Sequence, residues 1–148
     1  MRILENEKIP YTARTYECGE FTDAQQIADL LGLPHEKMYK TLVTRSPQGE
    51  YYVFVIPIDA ELDLKKAARS VGAKSVSMIH VKEIQSVTGY IRGGCTAIGM
   101  KKTYITRIDE SAAGQETIIV SGGKLGVQLE LAPEGLVTAS GAEYAQLT

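Results

Sequence analysis

Cysteine and histidine are both scarce in this chain of 148 residues, with two of each: Cys18, Cys95, His35 and His80. Two thiols cannot build a disulfide framework, and a reducing compartment keeps them free. No Cys or His pair has the spacing of zinc ligands, which argues against a structural metal. Long apolar runs are missing too, so no segment reads as membrane-spanning. The N-terminal MRILENEKIP lacks the apolar core and cleavage site of a signal peptide, and the expected location is the cytoplasm. Nor is there an excess of one charge. The formal net charge is −2, whereas strong non-specific nucleic-acid binders carry a basic surplus. A small cationic patch stays open, drawn from Lys65, Lys66, Arg92, Lys101, Lys102 and Lys124, against the plainer reading of a solvated surface. Repeats and low-complexity tracts are absent, and the length fits one domain over residues 1–148.

What is present is a set of short elements. Residues 10–17 alternate loosely and suit a strand ending near Tyr16. Thr22 and Gln25 make a capping-box pattern. Ile27, Leu30 and Leu31 then share one helical face, and Gly32 stops the helix. The runs 39–44 and 51–58, separated by SPQGE, read as a hairpin, with Pro57 ending its second strand. Asp63 caps a short helix with Leu64, Ala67, Ala68 and Val71 expected inward and Gly72 at its end. A further helix is expected over 80–87, and strands over 103–108 and 117–121. GVQLEL alternates, with Val127, Leu129 and Leu131 on one face and Gln128 and Glu130 on the other. Pro133 opens a last helix, and AEYAQL closes with a strand. Strands interleaved with short helices predict a mixed α/β domain. Their irregular spacing favours a curved, barrel-like β-sheet with flanking short helices over a doubly wound parallel one.

The stretch TGYIRGGCTAIGMKK (88–102) combines bare backbone, a thiol and cations. As a phosphate loop it places the lysine one position late and follows a predicted helix instead of a strand. As a thiol site at Cys95 it needs a neighbouring base, and nothing in the sequence brings His35 or His80 there. As a backbone-lined pocket it needs only its glycines. Ser121 lies in VSGGK and lacks the G-x-S-x-G elbow of a serine hydrolase, but Ser121-Gly122-Gly123 can offer N–H groups as a small nest. Lys40 opens the apolar run YKTLV, where it either faces solvent or presents a point charge to a pocket.

Taken in order, YKTLV, LDLKKAA, GAKSV, TGYIRGG, IGMKK, IDES and IIVSGGKLGVQLEL resemble the YbaK/EbsC family, free-standing relatives of the editing domain of bacterial prolyl-tRNA synthetase. The resemblance runs from about Ile9 to the C-terminus. It implies a mixed α/β fold around a curved sheet and an aminoacyl-tRNA deacylase, with Cys-tRNA(Pro) as the substrate of the most similar branch. Its partners would be the acceptor end of aminoacylated tRNA(Pro) and a prolyl-tRNA synthetase; it implies no cofactor. By position, Lys40 matches the family's substrate-contacting lysine, and Thr41 accompanies it. Gly93 and Gly94 match the loop that approaches the aminoacyl group. Tyr16, Ser121 and Gly122 match pocket residues. Arg92, Lys101 and Lys102 are candidates for acceptor-stem phosphates. Two departures stand out: Thr96-Ala97 replaces a frequent Ser-Pro, and Gln128 stands where the cysteine branch often has aspartate. A neutral amide can hydrogen-bond there but cannot act as a base. The departures motivate a rival reading, a binding module without turnover. A second rival is an alanine-type deacylase that uses water.

Overall fold

The computed structural model describes residues 8–15, 29, 32–79, 83, 104–121 and 127–148. The predicted helices over 24–31 (apart from Asp29) and 80–87 (apart from Glu83) lie outside the described residues. So do Tyr16, Gly122 and the glycine-rich stretch with Arg92, Gly93, Gly94, Lys101 and Lys102.

The strands are β1 (Tyr11–Thr15), β2 (Tyr39–Arg45), β3 (Tyr51–Pro57), β4 (Ser77–Met78), β5 (Ile105–Asp109), β6 (Ile118–Ser121), β7 (Val127–Leu131) and β8 (Glu143–Ala145). Among the described residues, two α-helices, α1 (Leu64–Ser70) and α2 (Pro133–Ser140), and 3-10 turns at His35–Lys37 and Glu110–Gly114 connect them. The strands form a three-stranded sheet ordered β1-β7-β6 and a five-stranded sheet ordered β4-β2-β3-β5-β8. The first is antiparallel throughout. The second is mixed, because β3 pairs with β2 antiparallel and with β5 parallel, and β5 pairs with β8 parallel. The expected mixed α/β architecture is present. Among the described residues the strands do not close into a barrel, because a single isolated bridge, Met38 just before β2 with Ile119 of β6 in the parallel sense, joins the two sheets.

The predicted hairpin is β2–β3. Its turn is closed by Gly49 N–H donating to Ser46 O at 2.9 Å and Ser46 N–H donating to Glu50 O at 2.8 Å. Gly49 sits at φ +86°, a conformation that costs a glycine nothing. β3 is buried on both faces. Val53 and Val55 join the core between the two sheets with Tyr39, Val43, Ile108, Ile118, Val120, Leu129, Leu131 and Leu136. Tyr52, Phe54 and Ile56 pack on the opposite side with Ala67, Ala68, Val76 and Leu147. A strand covered on both sides reads as a continuous apolar run, and YYVFVIP does.

Asp63 caps α1 as expected, accepting from Lys65 N at 3.0 Å and Lys66 N at 3.1 Å. Leu64, expected inward, is 40% exposed. In a seven-residue helix the packed stripe is one turn long and centred on Ala67 and Ala68, so the first residue falls beyond it. The C-terminal residues are held in place. Asp63 N–H donates to Leu147 O at 2.7 Å. Buried Asp109 accepts from Leu147 N at 3.1 Å, Ser111 N at 3.3 Å and Thr148 Oγ1 at 3.4 Å. No helix among the described residues is long and apolar enough to cross a membrane.

Candidate aminoacyl-tRNA editing site

The two sheets meet where β2 begins, and strand register builds the site from there. The Met38–Ile119 bridge is parallel, so two residues further along each strand Lys40 and Ser121 stand level by count, on the face that Met38 and Ile119 share. Ser121 pairs with Gln128 across β6 and β7, and Gln128 pairs with Arg14 across β7 and β1. The result is a cross-strand row of Ser121, Gln128 and Arg14, which the bridge extends by count to Lys40. Neighbouring strands lie about 4.8 Å apart, so Ser121 to Arg14 spans roughly 10 Å at the backbone. The face behind the row is apolar, since Val127, Leu129 and Leu131 point into the core between the sheets.

Individual members differ in setting. Lys40 is half-buried and donates from Nζ to Ile58 O at 3.3 Å, which ties its stem to the end of β3. Thr41 follows on the opposite face of β2, between the core residues Tyr39 and Val43. Gln128 keeps the expected polar-face parity but is only 5% exposed. Four predicted residues therefore lie within the described structure, and three of them, Lys40, Ser121 and Gln128, share the row.

Beside the row sits a charge cluster that no sequence motif marks. Glu130 pairs with Thr12 in register and stands one step along from Gln128. Its Oε1 meets Arg14 Nη2 at 2.6 Å. Its Oε2 accepts from Thr117 Oγ1 at 2.5 Å and from Lys37 Nζ at 3.4 Å. The Thr117 hydrogen bond, helped by Arg14 and Lys37, holds the Glu130 carboxyl below the usual carboxylate range against the opposing effect of burial. The available signal was parity: Glu130 shares the polar face of β7 with Gln128, while Val127, Leu129 and Leu131 take the apolar face.

A second cluster fixes the approach to β2. His35 bonds Asp29 Oδ1 through Nε2 at 2.9 Å and Asp59 Oδ2 through Nδ1 at 3.1 Å. Serving both carboxylates requires both ring nitrogens to carry protons, and the hydrogen bonds to Asp29 and then Asp59 raise the imidazole pKa above 6.5. Among the described residues no group of three or more His, Cys, Asp or Glu is arranged to hold a metal ion. An open depression of about 620 Å³ lies on the far side of Glu130, bordered by Lys8, Tyr11, Thr12, Thr117 and Glu134.

Residues 19–139 match the model of the aminoacyl-tRNA editing domain. The chain belongs to that family. This editing domain is 43% identical over its whole length to EbsC of Enterococcus faecalis, a proposed Cys-tRNA(Pro)/Cys-tRNA(Cys) deacylase, and covers 91% of it. A proline–tRNA ligase of Fervidobacterium nodosum is 28% identical over 81% of this chain, which corresponds to 20% of the ligase. Among solved structures, a proposed trans-editing enzyme for prolyl-tRNA synthetase superposes with a TM-score of 0.84 at 25% identity, covering 99% of this chain and 92% of that one. The hypothetical protein APE2540 has the same fold, with a TM-score of 0.88 at 24% identity and coverage of 99% and 96%. The resemblance to the YbaK/EbsC family is thus borne out, and this chain is an aminoacyl-tRNA editing domain.

Proposed function

We propose that this editing domain removes cysteine from Cys-tRNA(Pro) in the cytoplasm, acting in trans as one domain beside a prolyl-tRNA synthetase that selects the tRNA. The observation that carries the reading is Lys40, a half-buried lysine held by a backbone carbonyl where the two sheets meet, level with Ser121. The amino-acid identity rests on the 43% similarity to EbsC.

An aminoacyl ester is already activated, so positioning and charge stabilisation carry much of the rate. In this mechanism the substrate cysteine's own sulfur attacks its carbonyl carbon. A C–S bond forms, the ester C–O bond breaks, the thiol proton passes to the departing ribose oxygen, and a thiolactone leaves. Lys40 binds the terminal nucleotide with Thr41 adjoining, while the Gly93 and Gly94 N–H groups receive the carbonyl oxygen. Tyr16, Ser121 and Gly122 border a pocket for a small side chain, and Gln128 donates or accepts a neutral hydrogen bond in it. Arg92, Lys101 and Lys102 meet acceptor-stem phosphates. The bond change is formally that of a lyase; attack by water would make the protein a hydrolase.

The test compares release of label from Cys-tRNA(Pro), Ala-tRNA(Pro), Pro-tRNA(Pro) and S-methyl-Cys-tRNA(Pro), with wild type and Lys40→Ala side by side. Cleavage of the first alone, lost in Lys40→Ala, is the expected result. Equal cleavage of the S-methylated ester would transfer the attack to water. Cleavage of Ala-tRNA(Pro) would make this an alanine-type deacylase, and no cleavage of any ester would leave a binding module.

A further inference from the structure

Arg14 is the one cation of the row whose guanidinium is only half used. Nη2 is spent on Glu130 Oε1 at 2.6 Å. Nη1 is buried and has no hydrogen-bond partner among the described residues. A guanidinium carries five donors, and a buried donor left unpaired is costly. Native proteins seldom keep such a group unless a ligand, ion or mobile group uses it.

The local charge says what kind of ligand. Glu130 faces two cations, Arg14 and Lys37, and Thr117 satisfies part of its second oxygen without adding charge. Glu130 cancels one of those two positive charges and orients the guanidinium by a single fork nitrogen. One positive charge remains, next to a row that also carries Lys40. The oxygen that best completes Nη1 is therefore anionic. Arg14 is separated from Ser121 by one strand, roughly 10 Å along the row. A ligand seated between Lys40 and Ser121 would have to extend past Gln128 to reach it.

We propose that Arg14 is a positioning residue for the nucleic-acid end of the substrate. Its side chain, one-third exposed, presents the guanidinium charge to a phosphodiester oxygen of the single-stranded acceptor terminus, while Glu130 and Thr117 hold it in register. The inference rests on the aminoacyl-tRNA reading above, but its test does not depend on turnover. Arg14 is thereby given a role distinct from Lys40: it sets where the chain of nucleotides lies, and Lys40 acts at the ester end.

The probe is an uncharged acceptor-stem microhelix ending in single-stranded CCA, titrated by fluorescence anisotropy at several salt concentrations. Wild type, Arg14→Gln, Arg14→Lys and Thr117→Val are compared, each checked for an unchanged melting temperature. Arg14→Gln is expected to weaken binding about tenfold, the scale of one charge-assisted hydrogen bond. It should also lower the slope of log affinity against log salt by about 0.7, the signature of one lost single-strand phosphate contact. Arg14→Lys should restore the slope and only part of the affinity, because a point charge keeps the ion contact without the fork. In the deacylation assay the same change should raise KM and leave kcat near wild type. Equal affinity and slope in Arg14→Gln would overturn the Arg14 assignment and leave the deacylase reading standing. Wild-type protein that binds the microhelix through Arg14 but cleaves no ester would do the opposite, sustaining the Arg14 assignment and overturning the deacylase reading. Absence of binding by wild type would overturn the assignment as well.

Discussion

β3 and β7 are both interior strands of their sheets, yet they are built to opposite rules. β3 is buried by apolar side chains on each face, with Val53 and Val55 on one side and Tyr52, Phe54 and Ile56 on the other. β7 is apolar on one face and carries Gln128 and Glu130 on the other, flanked by Arg14, Thr117 and Ser121. β3 therefore acts as scaffold, while β7 spends one of its faces on polar groups, and the candidate site adds Lys40 from β2 at the junction. A buried polar face is tolerable only when its groups are paired. Glu130 meets that demand fully, Arg14 only in part.

Substitutions can break the contrast. Phe54→Ala in the scaffold should cost about 3–5 kcal/mol in denaturant titrations, the range for emptying a large buried ring site. Lys40→Ala should leave the denaturation midpoint nearly unchanged while lowering the deacylation rate by about 100-fold or more. If the two variants exchanged these effects, the division between scaffold and site would be wrong. Asp109→Ala tests how the scaffold is closed at its far edge. Losing the shared acceptor of Ser111 N and Leu147 N should cost about 2 kcal/mol, read by the same titration.

Two titrations sharpen the comparison further. Glu130 is held below the ordinary 4.5, so its contribution is complete above that pH and is lost as pH falls through the depressed folded value. Glu130→Gln should therefore be less stable than wild type at neutral pH and match it in acid, as melting temperatures would reveal. His35 runs the other way. Its folded value lies above 6.5, so what it adds is present below pH 6.5 and fades as pH rises through the folded value. Being exposed, it should give the smallest effect. Melting of His35→Gln and wild type should differ slightly at pH 5.5 and converge near pH 9, and a gap that widened toward alkaline pH would contradict the doubly donating imidazole.

Much of the fold was legible because its signals are local. The β2–β3 hairpin announces itself through two apolar runs and SPQGE, the α1 start through Asp63, and the α2 start through Pro133 at its first turn. The union of the two sheets was not legible. It rests on one bridge between Met38 and Ile119, far apart in the chain, and neither residue differs from ordinary core. Leu64 misled because a helical stripe says which face packs but not how far along the helix the neighbour extends. Within the candidate site, Lys40 stood out as a charge opening an apolar run, and Ser121 as the first residue of a Ser-Gly-Gly turn. Arg14 and Glu130 did not, since a lone charge on an alternating strand ordinarily means a wet surface, and only the pairing of β1 with β7 brings the two together.

The single bridge between β2 and β6 has a mechanical side. The Met38–Ile119 bridge and the shared core of Val43, Val53, Val55, Ile118, Val120 and Leu129 fasten the two sheets together, so the strands that carry Lys40 and Ser121 are held in a fixed relation. The spacing at the junction is thus gauged from beneath, by the volumes of two buried apolar side chains, Met38 and Ile119.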